Sequence, residues 1–179
     1  MMFSSILSDV SALFLLWLFM RAGMHKVNRA NGAFYAELLV EYGLNNKPLA
    51  RVLSYLIGWL EIVIGLSIVF APSRPFAAVA AFLMLVIYLL GMLRQLYIGR
   101  VDLDCGCAGP DSQIKIGPAL IYRNTILAAA SLICLFPGIP VLNGMWFIVV
   151  MTAVFLIILY SSSEKLIENS QIINVLRTR

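Results

Sequence analysis

Charge is scarce in this sequence: Asp, Glu, Lys and Arg make up 12% of its 179 residues, about half the share that a soluble domain carries. A chain of this length has a small interior and a large surface, so burial in a core cannot absorb the missing polarity. An ordinary water-soluble domain is thereby excluded. Cysteine occurs three times and histidine once, too few for a disulfide framework. A closed structural zinc site needs four ligands, and only one distant His could join the thiols. No basic stretch is interleaved with aromatics, so nucleic acid is not an expected partner. There is no internal repeat and no low-complexity tract.

What is present in excess is apolar surface, at 61% hydrophobic residues, and its only outlet is lipid. A spanning helix needs roughly 20 mostly apolar residues. Five segments approach that length: Val10 to Gly23 with a lead-in from Ser4 to Asp9, Val52 to Phe70, Phe76 to Ile98, Pro118 to Phe136, and Met145 to Tyr160. The breaks carry turn chemistry, with Pro72 and Pro75 in one and Pro137, Gly138 and Pro140 in another. Pro118 suits the first turn of a helix, where its missing N–H costs nothing. The expected fold is an all-α integral membrane bundle of about five transmembrane helices. Residues 1–160 form its single domain and 161–179 a polar C-terminal tail, with a short interfacial helix from Phe34 to Glu41. The first segment is read as an uncleaved helix rather than a signal peptide, because nothing basic precedes it and no small-residue cleavage site follows.

Lys and Arg gather in the 24–51 link, the 99–117 link and the tail, while the opposite side has only Arg74. Five spans bring these three basic segments to one side, which the positive-inside rule makes cytoplasmic.

Two thiols in the link between the third and fourth segments, Asp104-Cys105-Gly106-Cys107, are separated by one glycine. Such a pair can close into a small strained ring, with glycine supplying the backbone freedom. Strain makes a disulfide easier to reduce and suits it to exchange. Arg94, Arg100, Lys115 and Arg123 would favour a thiolate, while Asp102 and Asp104 would oppose it. A soft-metal site for Cu(I) and a turn without chemistry stay open beside redox exchange. Cys134, about sixteen residues into the fourth segment, reads as a buried, inert small hydrophobe.

Glu61 lies mid-helix in the second segment, where an ionisable group must face the bundle interior and find a partner. Gly58 and Gly65 share its face and admit close helix approach. The expected partners are Arg123, Arg21 or Arg94, and a structural ion pair and proton handling both fit. His25 and Lys26 close the first helix, and Asn124 adjoins Arg123. Trp17, Trp59 and Trp146 read as packing or interfacial anchors. The methionines form no cluster, and aromatic content alone identifies no quinone pocket, so no cofactor is expected.

Four features together resemble the family of methylamine utilisation protein MauE, within a broader DoxX-like group of small redox-associated membrane proteins. They are Arg21-Ala22-Gly23-Met24-His25-Lys26, Tyr42-Gly43-Leu44, Glu61 with Gly65, and Asp104-Cys105-Gly106-Cys107 followed by Arg123-Asn124. They span roughly residues 10–160. The family usually has an aromatic and a glycine after the cysteine pair, where Ala108-Gly109 stands here. The resemblance implies a bacterial inner-membrane protein with a four-helix DoxX-like core plus one helix. It implies a role in maturing the disulfide-rich small subunit of methylamine dehydrogenase, with a thioredoxin-like periplasmic partner. Cys105 and Cys107 would be the exchanging pair, assisted by Arg123, with Glu61, Arg21, Lys26 and Asn124 in structural or proton-handling roles. A periplasmic partner and a cytoplasmic thiol link conflict. The link re-entering the membrane, electrons handed across it, or a helix count wrong by one would each reconcile them. Two rival functions are a non-enzymatic assembly subunit docking through the Gly58/Gly65 face, and a small proton-coupled transporter using Glu61.

Overall fold

The computed structural model describes residues 2–100, 106, 109, 115–138 and 145–177. The helices among them are α1 (Met2–Val27), α2 (Gly32–Glu41), α3 (Lys47–Ser67), α4 (Arg74–Tyr97), α5 (Pro118–Ile133) and α6 (Trp146–Arg177), with a 3₁₀ turn at Arg29–Asn31. Local chemistry fixes their ends. The Asn46 side chain accepts a hydrogen bond from the Leu49 N–H at 3.3 Å at the start of α3, satisfying a donor the helix cannot. Prolines occupy the first turns of α3, α4 and α5. Both α2 and α4 end on a left-handed glycine, Gly43 at φ 113° and Gly99 at φ 82°. In each case the next N–H reaches back a full turn, Leu44 to the Leu39 carbonyl and Arg100 to that of Gln95, both at 3.0 Å. Glycine takes this cap without the strain of a β-carbon.

Four helices, α1, α3, α4 and α6, are long and apolar enough to cross a membrane, and α5 is a shorter apolar helix. With α5 they make the expected helical membrane bundle of about five. The surface is as apolar as the interior: Leu56 and Val63 on α3, Leu83 and Ile87 on α4, and Phe147 and Phe155 on α6 are all exposed. The interior, by contrast, contains Asp9, Lys26, Glu61, Arg74, Arg123 and Glu164. Apolar outside and charged inside is the arrangement that lipid imposes.

At the centre, α1 packs on α3, α5 and α6, and α4 packs on α3 and α5. The shared core includes Leu15, Phe19, Ile64, Ile68, Ala78, Ala81, Leu85 and Leu127. Helix α2 lies across α3 beside the end of α1. The 161–177 segment, expected as a polar tail, continues α6. Helix α6 is thus about 48 Å long at 1.5 Å per residue, well beyond a hydrocarbon core of about 30 Å.

Helices α1 and α3 approach each other closely at facing glycines. A β-carbon on Gly23 would lie 2.6 Å from the Gly58 carbonyl oxygen, and one on Gly58 would lie 2.8 Å from the Lys26 β-carbon. The small-residue face of α3 is therefore occupied by α1 of the same chain. Gly23→Val should force this seam apart and cost about 1–3 kcal/mol, as overpacking does. Gly99→Ala meets no atom within 4 Å, so it should lose only the roughly 1 kcal/mol of a left-handed backbone. Thermal midpoints of the two variants in detergent check this, and equal midpoints would contradict the seam.

Candidate functional site

Among the described residues three charged clusters sit inside the bundle, and α1 contributes to each. At one end Asp9 pairs with Arg74 at 2.7 Å. There the Ser8 hydroxyl donates to the Phe136 carbonyl and Arg74 Nε donates to that of Ile68. Cys134 is buried beside this cluster, its thiol 3.8 Å from the Ser8 carbonyl oxygen.

About 25 Å away along α1, at 1.5 Å per residue, Lys26 closes the opposite end. Its ammonium donates to both oxygens of Glu61 at 2.8 and 2.9 Å, and the Tyr88 hydroxyl donates to the same carboxylate at 2.5 Å. Lys26 Nζ stands 5.6 Å from the Tyr35 ring centroid and 5.4 Å from that of Tyr88, within cation–π range. Glu61 has no exposed surface. The expectation of Arg123, Arg21 or Arg94 as its partner is corrected: Lys26 reaches it because the Gly23/Gly58 contact brings the two helices together.

Arg123 and Arg21 instead share Glu164 of α6, at 3.1 and 2.8 Å. Arg123 lies over the Tyr160 ring at 5.2 Å and Arg21 over Trp17 at 5.4 Å. Asn124 is buried and its amide points at the Met92 sulfur, 3.6 Å away. Arg94 donates to the Tyr42 carbonyl at 3.2 Å and Arg100 to that of Glu41 at 3.3 Å. Both thus hold the end of α2, where cations complement the helix dipole.

Cys105 and Cys107 lie outside the described residues, but Gly106 between them does not. Gly106 is left-handed at φ 69° and sits against α2, where a β-carbon would meet Leu38 at 2.5 Å and Tyr35 at 4.0 Å. Gly109, at φ 89°, faces the His25 ring, 3.0 Å from a β-carbon to Nδ1. Gln171 of α6 accepts from the Lys115 N–H through Oε1 at 3.0 Å and donates from Nε2 to the Lys115 carbonyl at 3.1 Å. Gly106, Gly109 and Lys115 therefore share one end of the bundle with α2, the end of α1 and Gln171 of α6. Below Gly106 a cavity of about 290 Å³ reaches Lys26 and Tyr88. Among the described residues no three His, Cys, Asp or Glu side chains converge as metal ligands.

Sequence reasoning missed Tyr35, Tyr88 and Glu164. Tyr88 has no local signal, since its partner is on another helix 27 residues away. Glu164 was visible only as an acid just past the fifth apolar run. Breaking a buried pair strands a charge and costs about 3–5 kcal/mol, whereas replacing both partners by apolar groups is close to neutral. Lys26→Met and Glu61→Leu should therefore each lower the thermal midpoint strongly, and the double variant should recover most of the loss. A double variant as unstable as the sum of the singles would contradict a coupled pair.

Residues 4–137 match the family model of methylamine utilisation protein MauE. Methylamine utilization protein MauE of Paracoccus denitrificans is 26% identical over 128 residues, covering 72% of this chain and 67% of that protein. No solved structure matches the chain. The matched stretch contains α1 to α5 and the Lys26–Glu61–Tyr88 cluster, and by this match the chain belongs to the family of methylamine utilisation protein MauE.

Proposed function

We propose that this chain supports thiol–disulfide exchange during maturation of a disulfide-rich enzyme subunit. Family membership connects it to methylamine utilisation, and its apolar spans make it a multi-pass bacterial membrane protein. The client by this reading is the small subunit of methylamine dehydrogenase, with a thioredoxin-like periplasmic protein as partner. Cys105 and Cys107 exchange through a mixed disulfide: a thiolate attacks a disulfide sulfur, one S–S bond forms and another breaks.

The observation that carries this reading is the seat of Gly106. The residue between the two thiols is left-handed and packed over a cavity floored by Lys26 and Tyr88. Two observations weigh against the rivals. The Gly58/Gly65 face that a docking subunit would use is taken by α1. Glu61 is held by three hydrogen bonds with no exposed surface, which suits a structural pair better than the coupling group of a transporter.

Cys105→Ser and Cys107→Ser should each abolish maturation of the client while leaving the membrane level of the protein unchanged. Full maturation in either variant would overturn the proposal. Labelling of intact cells with an impermeant maleimide reads the side of the membrane. Labelling of the pair only after mild reduction is expected for exchange with a periplasmic client. Labelling by a permeant reagent alone, without reduction, would favour an assembly subunit.

A further inference from the structure

We propose that the cleft between α3 and the start of α2 binds an anionic phospholipid, whose phosphate is held by Arg29 and Arg51.

The cleft has a volume of about 680 Å³, on the scale of a small-ligand site. Arg29, from the turn between α1 and α2, and Arg51, in the second turn of α3, both line it. Tyr55 and Trp59 of α3 line it as well, together with Gly32 of α2. Gly32 lets Tyr55 close against α2: a β-carbon there would lie 3.0 Å from the Tyr55 hydroxyl oxygen.

The two arginines differ from the others described above. Arg21, Arg74 and Arg123 each have a carboxylate, and Arg94 and Arg100 each bind a backbone carbonyl. Among the described residues, Arg29 and Arg51 form no ion pair, and both are exposed. An adjoining cleft shares Arg51 with the first and adds Lys47 and Glu37. One carboxylate is thus set against three cations, leaving an excess of two positive charges. Such an excess selects an anion. A guanidinium suits phosphate in particular, because its planar fork presents two parallel N–H donors.

The order of side chains along α3 attaches that phosphate to a lipid. Arg51, Tyr55 and Trp59 recur every four residues, so they share one helical face. Tyr and Trp rings favour the headgroup level of a bilayer. Arg51, two turns nearer the polar start of α3, therefore stands at phosphate depth. In the other direction the exposed side chains Val63 and Leu66 follow Trp59. Cation, aromatic ring and apolar surface thus succeed one another as phosphate, ester and acyl chain do in a phospholipid. A soluble anion would gain nothing from the apolar part of this stripe. A zwitterionic lipid brings its own cation, which the excess charge disfavours.

The test uses the purified full chain in phosphatidylcholine nanodiscs containing a small share of brominated phosphatidylglycerol or brominated phosphatidylcholine. Bromine quenches an indole only at short range, and the signal lost in Trp59→Phe isolates Trp59. Brominated phosphatidylglycerol should half-quench Trp59 at a mole fraction about tenfold below that of brominated phosphatidylcholine, an advantage of the size that basic residues give at a membrane surface. Arg29→Gln/Arg51→Gln should remove the advantage. Lys115→Gln/Lys165→Gln, which removes the same charge outside the cleft, should keep it. Equal quenching by the two lipids in the unaltered protein would overturn the site, and so would an advantage that survives Arg29→Gln/Arg51→Gln. Equal loss in the two double variants would reduce the effect to general attraction by a basic surface and overturn the site as well. Millimolar inorganic phosphate should leave the quenching unchanged. Relief of quenching by phosphate would overturn the lipid and assign the arginines to a soluble anion.

Discussion

A carboxylate inside a bilayer has no water to satisfy it, and Glu61 has no exposed surface at all. Placing a charged side chain at the centre of a spanning helix costs about 2.5–3.5 kcal/mol even by the more lenient scales. The cost is tolerable only if partners are fixed in place, and here they come from two other helices. Lys26 arrives from α1 because glycines at 23 and 58 let the backbones approach. Tyr88 arrives from α4. One carboxylate thus fixes the relative positions of α1, α3 and α4, and α2 covers the cluster with the Tyr35 ring. The cavity is the space left where these four helices meet.

The same constraint recurs at two other places, and α1 answers it each time. Asp9 ties it to Arg74 at the start of α4, and Arg21 ties it to Glu164 of α6. The third case is the most informative about the architecture. Residues matching the family end at 137, so α6 lies beyond them, yet α6 supplies the acid for both Arg21 and Arg123. Only 17% of its apolar window is buried, against 50% for α1, so packing area alone holds it weakly. Its two-arginine clamp and the Tyr160 contacts with Phe14, Trp17 and Arg123 are specific where the remaining surface is not. Helix α6 is fastened at a charged point.

How far the fold was legible follows from the kind of signal each feature leaves. Bilayer thickness imposes a run length, so the spans could be read as apolar runs broken by proline and glycine. The continuation of α6 could not, because hydropathy falls after Tyr160 while the backbone goes on hydrogen-bonding within itself. That Glu61 needed a partner inside the bundle was evident from its surroundings. Which partner was not, because pairing across helices depends on rotation and approach, and neither leaves a local pattern. Arg123 was the natural candidate by depth, and it was Glu164, outside the apolar run, that claimed it. Arg94 and Arg100 are engaged with the end of α2, whose exposed carbonyls are invisible in composition.

The cations at this end of the molecule are held in two different ways. A carboxylate cancels a cation, whereas a carbonyl only orients it. Lys26 is neutralised by Glu61, so its charge contributes little beyond the cavity. Arg94 and Arg100 bind carbonyls and keep their full charge for their surroundings. The rim at α2 is therefore positive, while the cavity beside it stays close to neutral. Gly106 stands between these two environments, held against Leu38 where only a residue without a β-carbon fits. Its left-handed backbone and its contact with α2 thus make the same demand of one position.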